Sequence, residues 1–168
     1  MPERESKSQK AKIIHLEEAK KVFERLKDRH IVLVGGCYDI LHFGHLDFLR
    51  KSSEEGNMLV IALESDEFIT KSKTRKPIHN QDQRAQILAS LEFVDIVIKL
   101  PLMQGHEDYL NLVKAVMPKI IAVTYGDPKY KYKKNHADAV GAEIKEVCKL
   151  DETFSSTQIL QYANIFRD

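Results

Sequence analysis

The 168-residue chain carries only two cysteines, Cys37 and Cys148, far apart and in no metal-type spacing. That excludes a disulfide scaffold or a cysteine-rich zinc module and makes reduced thiols in an internal, cytoplasmic setting the expectation. No apolar run approaches the roughly 18 to 20 residues needed to cross a bilayer, so no membrane association is expected. Neither sign of charge is in excess: 26 Lys and Arg against 25 Asp and Glu leave a net +1. Any nucleic-acid or membrane preference would have to come from a local patch. The first dozen residues are polar and lack the apolar stretch of a secretory signal, so residues 1–11 are expected to be a flexible N-terminal segment. Two common phosphate loops are missing as well, the P-loop pattern and the Gly-x-Gly-x-x-Gly turn. Internal repeats and low-complexity domains are also lacking.

What is present suits one soluble domain, with 43% hydrophobic and 30% charged residues, enough for a single core and too little for two ordinary domains. Apolar runs at Ile31–Val34, Leu59–Leu63, Val94–Ile98 and Ile120–Val123, with a weaker one at Glu143–Val147, alternate with helical segments. This alternation predicts an α/β fold, an open parallel sheet covered by helices on both faces. An extra amphipathic helix is expected over roughly Leu16 to Lys27, and Asn80 followed by Gln83 has the spacing of a helix-opening capping box.

The densest chemistry lies in Val34-Gly35-Gly36-Cys37-Tyr38-Asp39-Ile40-Leu41-His42-Phe43-Gly44-His45. It follows a buried strand and precedes a segment of helical spacing that Gly56 is placed to end. A helix N-terminus offers unpaired N–H groups and a partial positive charge to an anion. Gly35, Gly36 and Gly44 let the backbone come close to a phosphate and adopt positive φ where needed. His42 and His45, three apart, can set two ring donors on one side of the turn. In an open sheet ligands gather beyond the carboxyl ends of the strands, where Lys71 and Lys73, Gly126-Asp127 and Ser155-Ser156-Thr157 are also expected to converge.

The His42-x-Gly44-His45 block after a Gly-Gly-x-x-Asp turn resembles the signature of the cytidylyltransferase-like nucleotidyltransferases. Lys71 and Lys73, Arg84, Gly126-Asp127 and the Ser155-Ser156-Thr157 block follow in that family's order, so the resemblance runs from about Lys12 to Phe166. It implies a Rossmann-like domain over residues 12–168 and attack of a phosphate monoester on the α-phosphate of a nucleoside triphosphate, with release of pyrophosphate. It further implies Mg²⁺ carried with the triphosphate and no direct protein ligands for the metal. By this resemblance His42 and His45 stabilise the reacting phosphate and the leaving pyrophosphate, Lys71 and Lys73 neutralise the acceptor or triphosphate, and Arg84 holds the triphosphate. Gly35, Gly36, Cys37, Tyr38, Asp39 and Gly44 form the first nucleotide-binding loop. Gly126 and Asp127 meet base or ribose, and Ser155, Ser156 and Thr157 bind phosphate. Tyr38 stands where relatives often have Phe.

Within the family the motifs look most like the adenylyltransferase domain of ADP-heptose synthase, implying ATP and a sugar 1-phosphate. Glycerol-3-phosphate cytidylyltransferase is the runner-up, although its usual Arg-Thr-Glu-Gly lead-in is replaced here by Leu150-Asp151-Glu152-Thr153. An FMN adenylyltransferase is a third reading, and a non-catalytic nucleotide-binding regulator is the alternative from another class. The resemblance also implies a homodimer.

Plainer readings stand beside these. The His pair could belong to a zinc site, Lys71, Lys73, Arg75 and Lys76 to a solvated basic loop, Arg84 to an ordinary helix surface, Asp127 to a turn, and Ser155 with Gln158 to a helix cap. Cys37 reads as a packed small side chain. The Lys129-Tyr130-Lys131-Tyr132-Lys133-Lys134 run interleaves aromatics with positive charge. That pattern is compatible with RNA, though too short to define a nucleic-acid fold, and equally with a lid that recruits an anionic acceptor.

Overall fold

A computed structural model describes residues 12–149 together with Ile159. Six strands form one sheet in the order β1-β4-β3-β2-β5-β6. They are β1 (Lys12–His15), β2 (Ile31–Gly36), β3 (Met58–Leu63), β4 (Ile96–Lys99), β5 (Ile120–Tyr125) and β6 (Glu143–Lys149). Every neighbouring pair is parallel. The helices are α1 (Ala19–Phe23), α2 (Phe43–Glu54), α3 (Asp66–Lys73), α4 (Gln81–Ala89), α5 (His106–Val116) and α6 (Tyr130–Val140).

The central strands are apolar runs because both of their faces are covered, as parallel sheets require. Alternate residues divide them. Leu33, Val60, Ala62, Ile98 and Ile121 pack with Phe23 of α1, Leu112 and Val113 of α5 and Ala137 of α6. Val32, Val34, Ile61, Leu63 and Val97 pack with Leu49 of α2 and Ala85 and Leu88 of α4. The expected open parallel sheet with helices on both faces is therefore present, as one α/β domain.

Two elements differ from expectation. Lys12–His15 is an edge strand, with Ile14 buried and its neighbours exposed. The helix expected from Leu16 to Lys27 is shorter: a single 3-10 turn at Leu16–Glu18 leads into α1, which ends at Phe23. Beyond it, Arg25 and Leu26 donate to Val22 and Phe23, three residues back. This tighter winding turns the chain toward β2.

Gly56 follows α2, but not as a left-handed cap. A Cβ there would lie 2.3 Å from the His30 carbonyl oxygen and 2.7 Å from Val32 Cγ2, so it is close approach of the helix end to β2 that demands glycine. Asn80 opens α4 with the expected capping box, its side chain accepting from the Gln83 N–H while the Gln83 side chain accepts from the Asn80 N–H.

The sheet order reverses at β2, whose neighbours are β3 on one side and β5 on the other. The crevice beyond the carboxyl end of β2 is thus the place where this topology collects ligands.

Candidate active site

The loop leaving β2 is held at both ends. The Cys37 carbonyl accepts from Arg84 Nη1 at 2.6 Å. Asp39, 2% exposed, accepts from Arg75 Nη1 at 2.5 Å and from the Ile78 and His79 backbone N–H groups. Between these anchors Tyr38 sits at φ +47°, a left-handed conformation that a bulky residue adopts only when its surroundings impose it. Its buried ring folds back over Gly36, where a Cβ would stand 2.7 Å from Tyr38 Cε2, and meets His45 edge-on at 5.2 Å. The positive φ expected of the loop glycines therefore falls on Tyr38, while Gly35 and Gly36 are the last residues of β2.

His42 is the N-cap of α2, and its carbonyl takes the first helical hydrogen bond, from Leu46 N–H. The N–H groups of Gly44 and His45, in the first turn, precede the helix's own ladder and point out of its N-terminus. The His42 and His45 rings stack with centroids 3.8 Å apart and planes 28° apart. Both Nδ1 atoms are buried with no hydrogen-bond partner among the described residues. Burial, then the His42 ring and Lys73, push His45 down to about 4, against a hydrogen bond to the Ile40 backbone. Burial and Lys73 also lower His42. Both shifts favour the neutral imidazoles, and an anion bound beside them would shift both back toward the charged form.

Lys73 is the basic residue brought to the pair. It lies in the last turn of α3, a helix opened by Ser65, whose hydroxyl accepts from Phe68 N–H. The basic segment is thus partly helical. Lys71, two positions away and so roughly 200° around the helix, projects from a different side of α3. Arg84 is not a surface residue: its guanidinium is fully buried and donates to the His79 and Cys37 carbonyls and to Asp66 Oδ1 at 2.7 Å. In this conformation it does not reach out to a triphosphate. It ties the N-termini of α3 and α4 to the first loop.

Asp127 is engaged too. Its Oδ1 accepts from Lys129 N–H and its Oδ2 from Lys133 Nζ, both at 2.7 Å, after Gly126 at φ +74°. These bonds fix the start of α6, as a turn residue would. Ser155, Ser156 and Thr157 lie outside the described residues, as does the expected flexible segment 1–11. Cys37 is half-buried, and burial raises its thiol, in keeping with a packing role.

On the α5–α6 side of the loop a cavity of about 240 Å³ opens beside Gly35, Gly36 and Cys37. Leu33, Ala62, Leu112, Val113 and Ile121 give it apolar walls, and Lys129 and Lys133 enter from α6. The Lys/Tyr-rich run is thus the first turns of a helix rather than a free loop, with Tyr132 stacked on His106 at 3.7 Å. Glu64 and Tyr109 also line the cavity. Neither is marked by a motif, although an acid directly after the Leu59–Leu63 run, at the carboxyl end of a strand, is a usable signal. In sequence Arg75, the partner of Asp39, is simply one residue of a basic stretch.

Among the described residues no group of three or more His, Cys, Asp or Glu side chains is arranged to hold a metal, and none of the helices is long and apolar enough to cross a membrane.

The chain is 36% identical over 155 residues to the bifunctional protein HldE of Helicobacter hepaticus, covering 90% of this chain and 30% of that protein. It is 40% identical over 111 residues to HldE of Campylobacter fetus, covering 66% and 23%. It therefore spans less than a third of these relatives' length. A lipopolysaccharide core biosynthesis protein from Thermoplasma volcanium superposes with a TM-score of 0.58 at 26% identity, over 72% of this chain and 96% of that one. A pantoate-beta-alanine ligase from Francisella tularensis shares the fold, with a TM-score of 0.64 at 17% identity over 94% and 79%. The sequence profile of the cytidylyltransferase-like family matches residues 33–161, and the chain belongs to that family of nucleotidyltransferases.

Proposed function

We propose that the protein transfers the nucleotidyl group of ATP to a sugar 1-phosphate, giving a nucleoside-diphosphate sugar and pyrophosphate. The observation that carries the transfer reading is the stacked His42–His45 pair at the start of α2, with two buried, unpartnered Nδ1 atoms. The preference for ATP and a sugar 1-phosphate rests on the resemblance to ADP-heptose synthase and on the similarity to the HldE proteins.

The acceptor phosphate needs no general base, since with a second pKa near 6 it is largely dianionic at neutral pH. An oxygen of that phosphate attacks the α-phosphorus, the bond to the β-phosphate oxygen breaks, and pyrophosphate leaves. The chain's part is to position and neutralise. The N–H groups of Gly44 and His45 donate to phosphate oxygens, the two imidazoles donate and take up protons as the anion arrives, and Lys73 adds charge. Arg84 and Asp39 act at one remove, holding the loop on which Tyr38 and the His pair depend. Lys71, Gly126, Asp127 and the Ser155-Ser156-Thr157 block remain candidates for ligand contact. Mg²⁺ bound to triphosphate oxygens would neutralise charge and align the reacting groups; its usual habit of few protein ligands and several waters agrees with the donor set here.

The cavity beside Gly36 and Cys37 suits the acceptor. At about 240 Å³ it is smaller than a typical drug-sized site and favours a sugar or polyol phosphate over the tricyclic flavin of FMN. The test is Mg²⁺-dependent pyrophosphate release from ATP and from CTP, each with sugar 1-phosphates, glycerol 3-phosphate and FMN. Turnover with ATP and a sugar 1-phosphate is expected. Turnover with CTP and glycerol 3-phosphate alone would replace the substrate assignment, and nucleotide binding without any turnover would favour a regulator.

A further inference from the structure

Resting on the transferase reading, we infer that Glu64, held by Tyr109, selects a polyhydroxylated acceptor by receiving a hydrogen bond from one of its hydroxyls in the cavity between α5 and α6. Glu64 is 8% exposed, and its Oε1 accepts from Tyr109 Oη at 2.8 Å. Its Oε2 is buried and has no partner among the described residues. A buried acceptor left unmatched is costly, and a site that keeps one points to a donor supplied from outside.

The neighbouring groups do not fill that need. Tyr109 spends its hydroxyl on Oε1, Lys129 Nζ stands 5.6 Å from the Phe68 ring centroid, and Lys133 Nζ is paired with Asp127 at 2.7 Å. The remaining walls are mostly apolar, aliphatic side chains beside the Phe68 and Tyr132 rings, with the His106 and His136 imidazoles at the α5–α6 side. A mostly apolar cavity with aromatic as well as aliphatic walls and one fixed acidic acceptor suits a sugar or polyol, which packs its C–H face on the walls and donates from a hydroxyl. It does not suit an acceptor without hydroxyls, which would strand Oε2. A cationic acceptor is disfavoured by the field of Lys129 and Lys133, which already acts on Glu64. Burial raises the Glu64 carboxyl above the ordinary range, partly offset by the Tyr109 hydrogen bond and by these lysines. The carboxyl thus resists standing as a bare anion without a donor.

The experiment compares α-D-mannose 1-phosphate, n-propyl phosphate and phosphoethanolamine by calorimetric titration without nucleotide and by turnover with ATP. The enzymes are the wild type, Glu64→Leu, and Glu64→Asp, which keeps the charge but shortens the reach. The wild type is expected to favour mannose 1-phosphate over n-propyl phosphate by about 10-fold or more. Glu64→Leu is expected to abolish that preference with KM for ATP unchanged, and Glu64→Asp to weaken it even if the leucine variant fails to fold. A purely structural Glu64 would lower the melting temperature without changing the ranking of ligands. An unchanged ranking, a preference for phosphoethanolamine, or no binding of mannose 1-phosphate by the wild type overturns the inference. Glu64-dependent binding without pyrophosphate release would support the selectivity of the pocket while removing the transferase reading.

Discussion

His42 and His45 stack face to face at the mouth of α2, and each buries an Nδ1 atom that has no hydrogen-bond partner among the described residues. Such a pair costs stability in the free protein, a cost that an anion supplying the missing partner would offset. Replacing either ring by alanine is expected to lower kcat by about 10²–10³ while leaving the circular dichroism spectrum unchanged. Variants turning over within a few-fold of the wild type would show that the rings do not act on the reacting phosphate.

The depressed imidazoles set the pH behaviour. His45 titrates at about 4 in the folded chain against 6.5 in its absence, so between these values the unfolded chain binds the proton more readily. The contribution to stability is intact above pH 6.5 and is lost as pH falls toward 4, by about 3 kcal/mol for His45 alone. His42 shifts in the same direction. The melting temperature is expected to fall over that window, and less steeply in His45→Ala. Binding of a triphosphate raises both values, so calorimetry near pH 6 in buffers of different ionisation enthalpy is expected to show net proton uptake. A binding enthalpy independent of buffer contradicts this.

The two lysines of α3 are expected to separate. Lys73 acts electrostatically on Cys37, His42 and His45, whereas Lys71 projects from another side of the same turn. Lys73→Ala should slow turnover by at least about tenfold more than Lys71→Ala, measured with saturating acceptor. Equal losses would mean that α3 rearranges when substrate binds.

Arg84 and Asp39 are the two clamps on the strained Tyr38 loop. Arg84→Lys cannot reproduce three divergent N–H donors and is expected to cost about 2–4 kcal/mol on thermal unfolding. Burial alone would raise the Asp39 carboxyl, but the Arg75 hydrogen bond and the His79 and Ile78 N–H groups outweigh it and hold it below the usual range. That contribution is present above the ordinary carboxylate value and is lost as pH falls through the lowered one. Asp39→Asn is expected to remove this acid dependence and to raise KM for nucleotide. An Arg84→Lys variant as stable as the wild type would deny that the clamp is structural.

Backbone contact makes Gly56 the least replaceable glycine in the scaffold. Gly56→Ala places a methyl 2.3 Å from the His30 carbonyl, whereas Gly105→Ala meets nothing within 4 Å. The first is expected to lower stability by more than about 2 kcal/mol and the second by less than about 0.5 kcal/mol. Urea denaturation of the two variants reads the difference directly.

The parallel sheet could be read from sequence because β2, β3, β4 and β5 are buried on both faces and so are continuous β-branched and aliphatic runs. Lys12–His15 escaped because an edge strand of four residues buries only Ile14 and leaves no run to recognise. The strand-to-helix junction carrying the His42-x-Gly44-His45 block was legible, since local spacing alone fixes that geometry. The place of Arg84 was not: its partners Cys37 and Asp66 lie 47 and 18 residues away, and only the fold reveals that a helix arginine is wholly buried. Glu64 was missed for the same reason, because the hydroxyl that holds it comes from Tyr109, 45 residues on.

The most direct test of the account follows the α-phosphorus. With ATP labelled at its α-phosphate, Mg²⁺ and a sugar 1-phosphate, the label should appear in a nucleoside-diphosphate sugar while unlabelled pyrophosphate accumulates in equal amount, and His45→Ala should slow both by about 10²–10³. Label recovered only as AMP or ADP, with the sugar phosphate unchanged, would contradict nucleotidyl transfer to a sugar phosphate at this site.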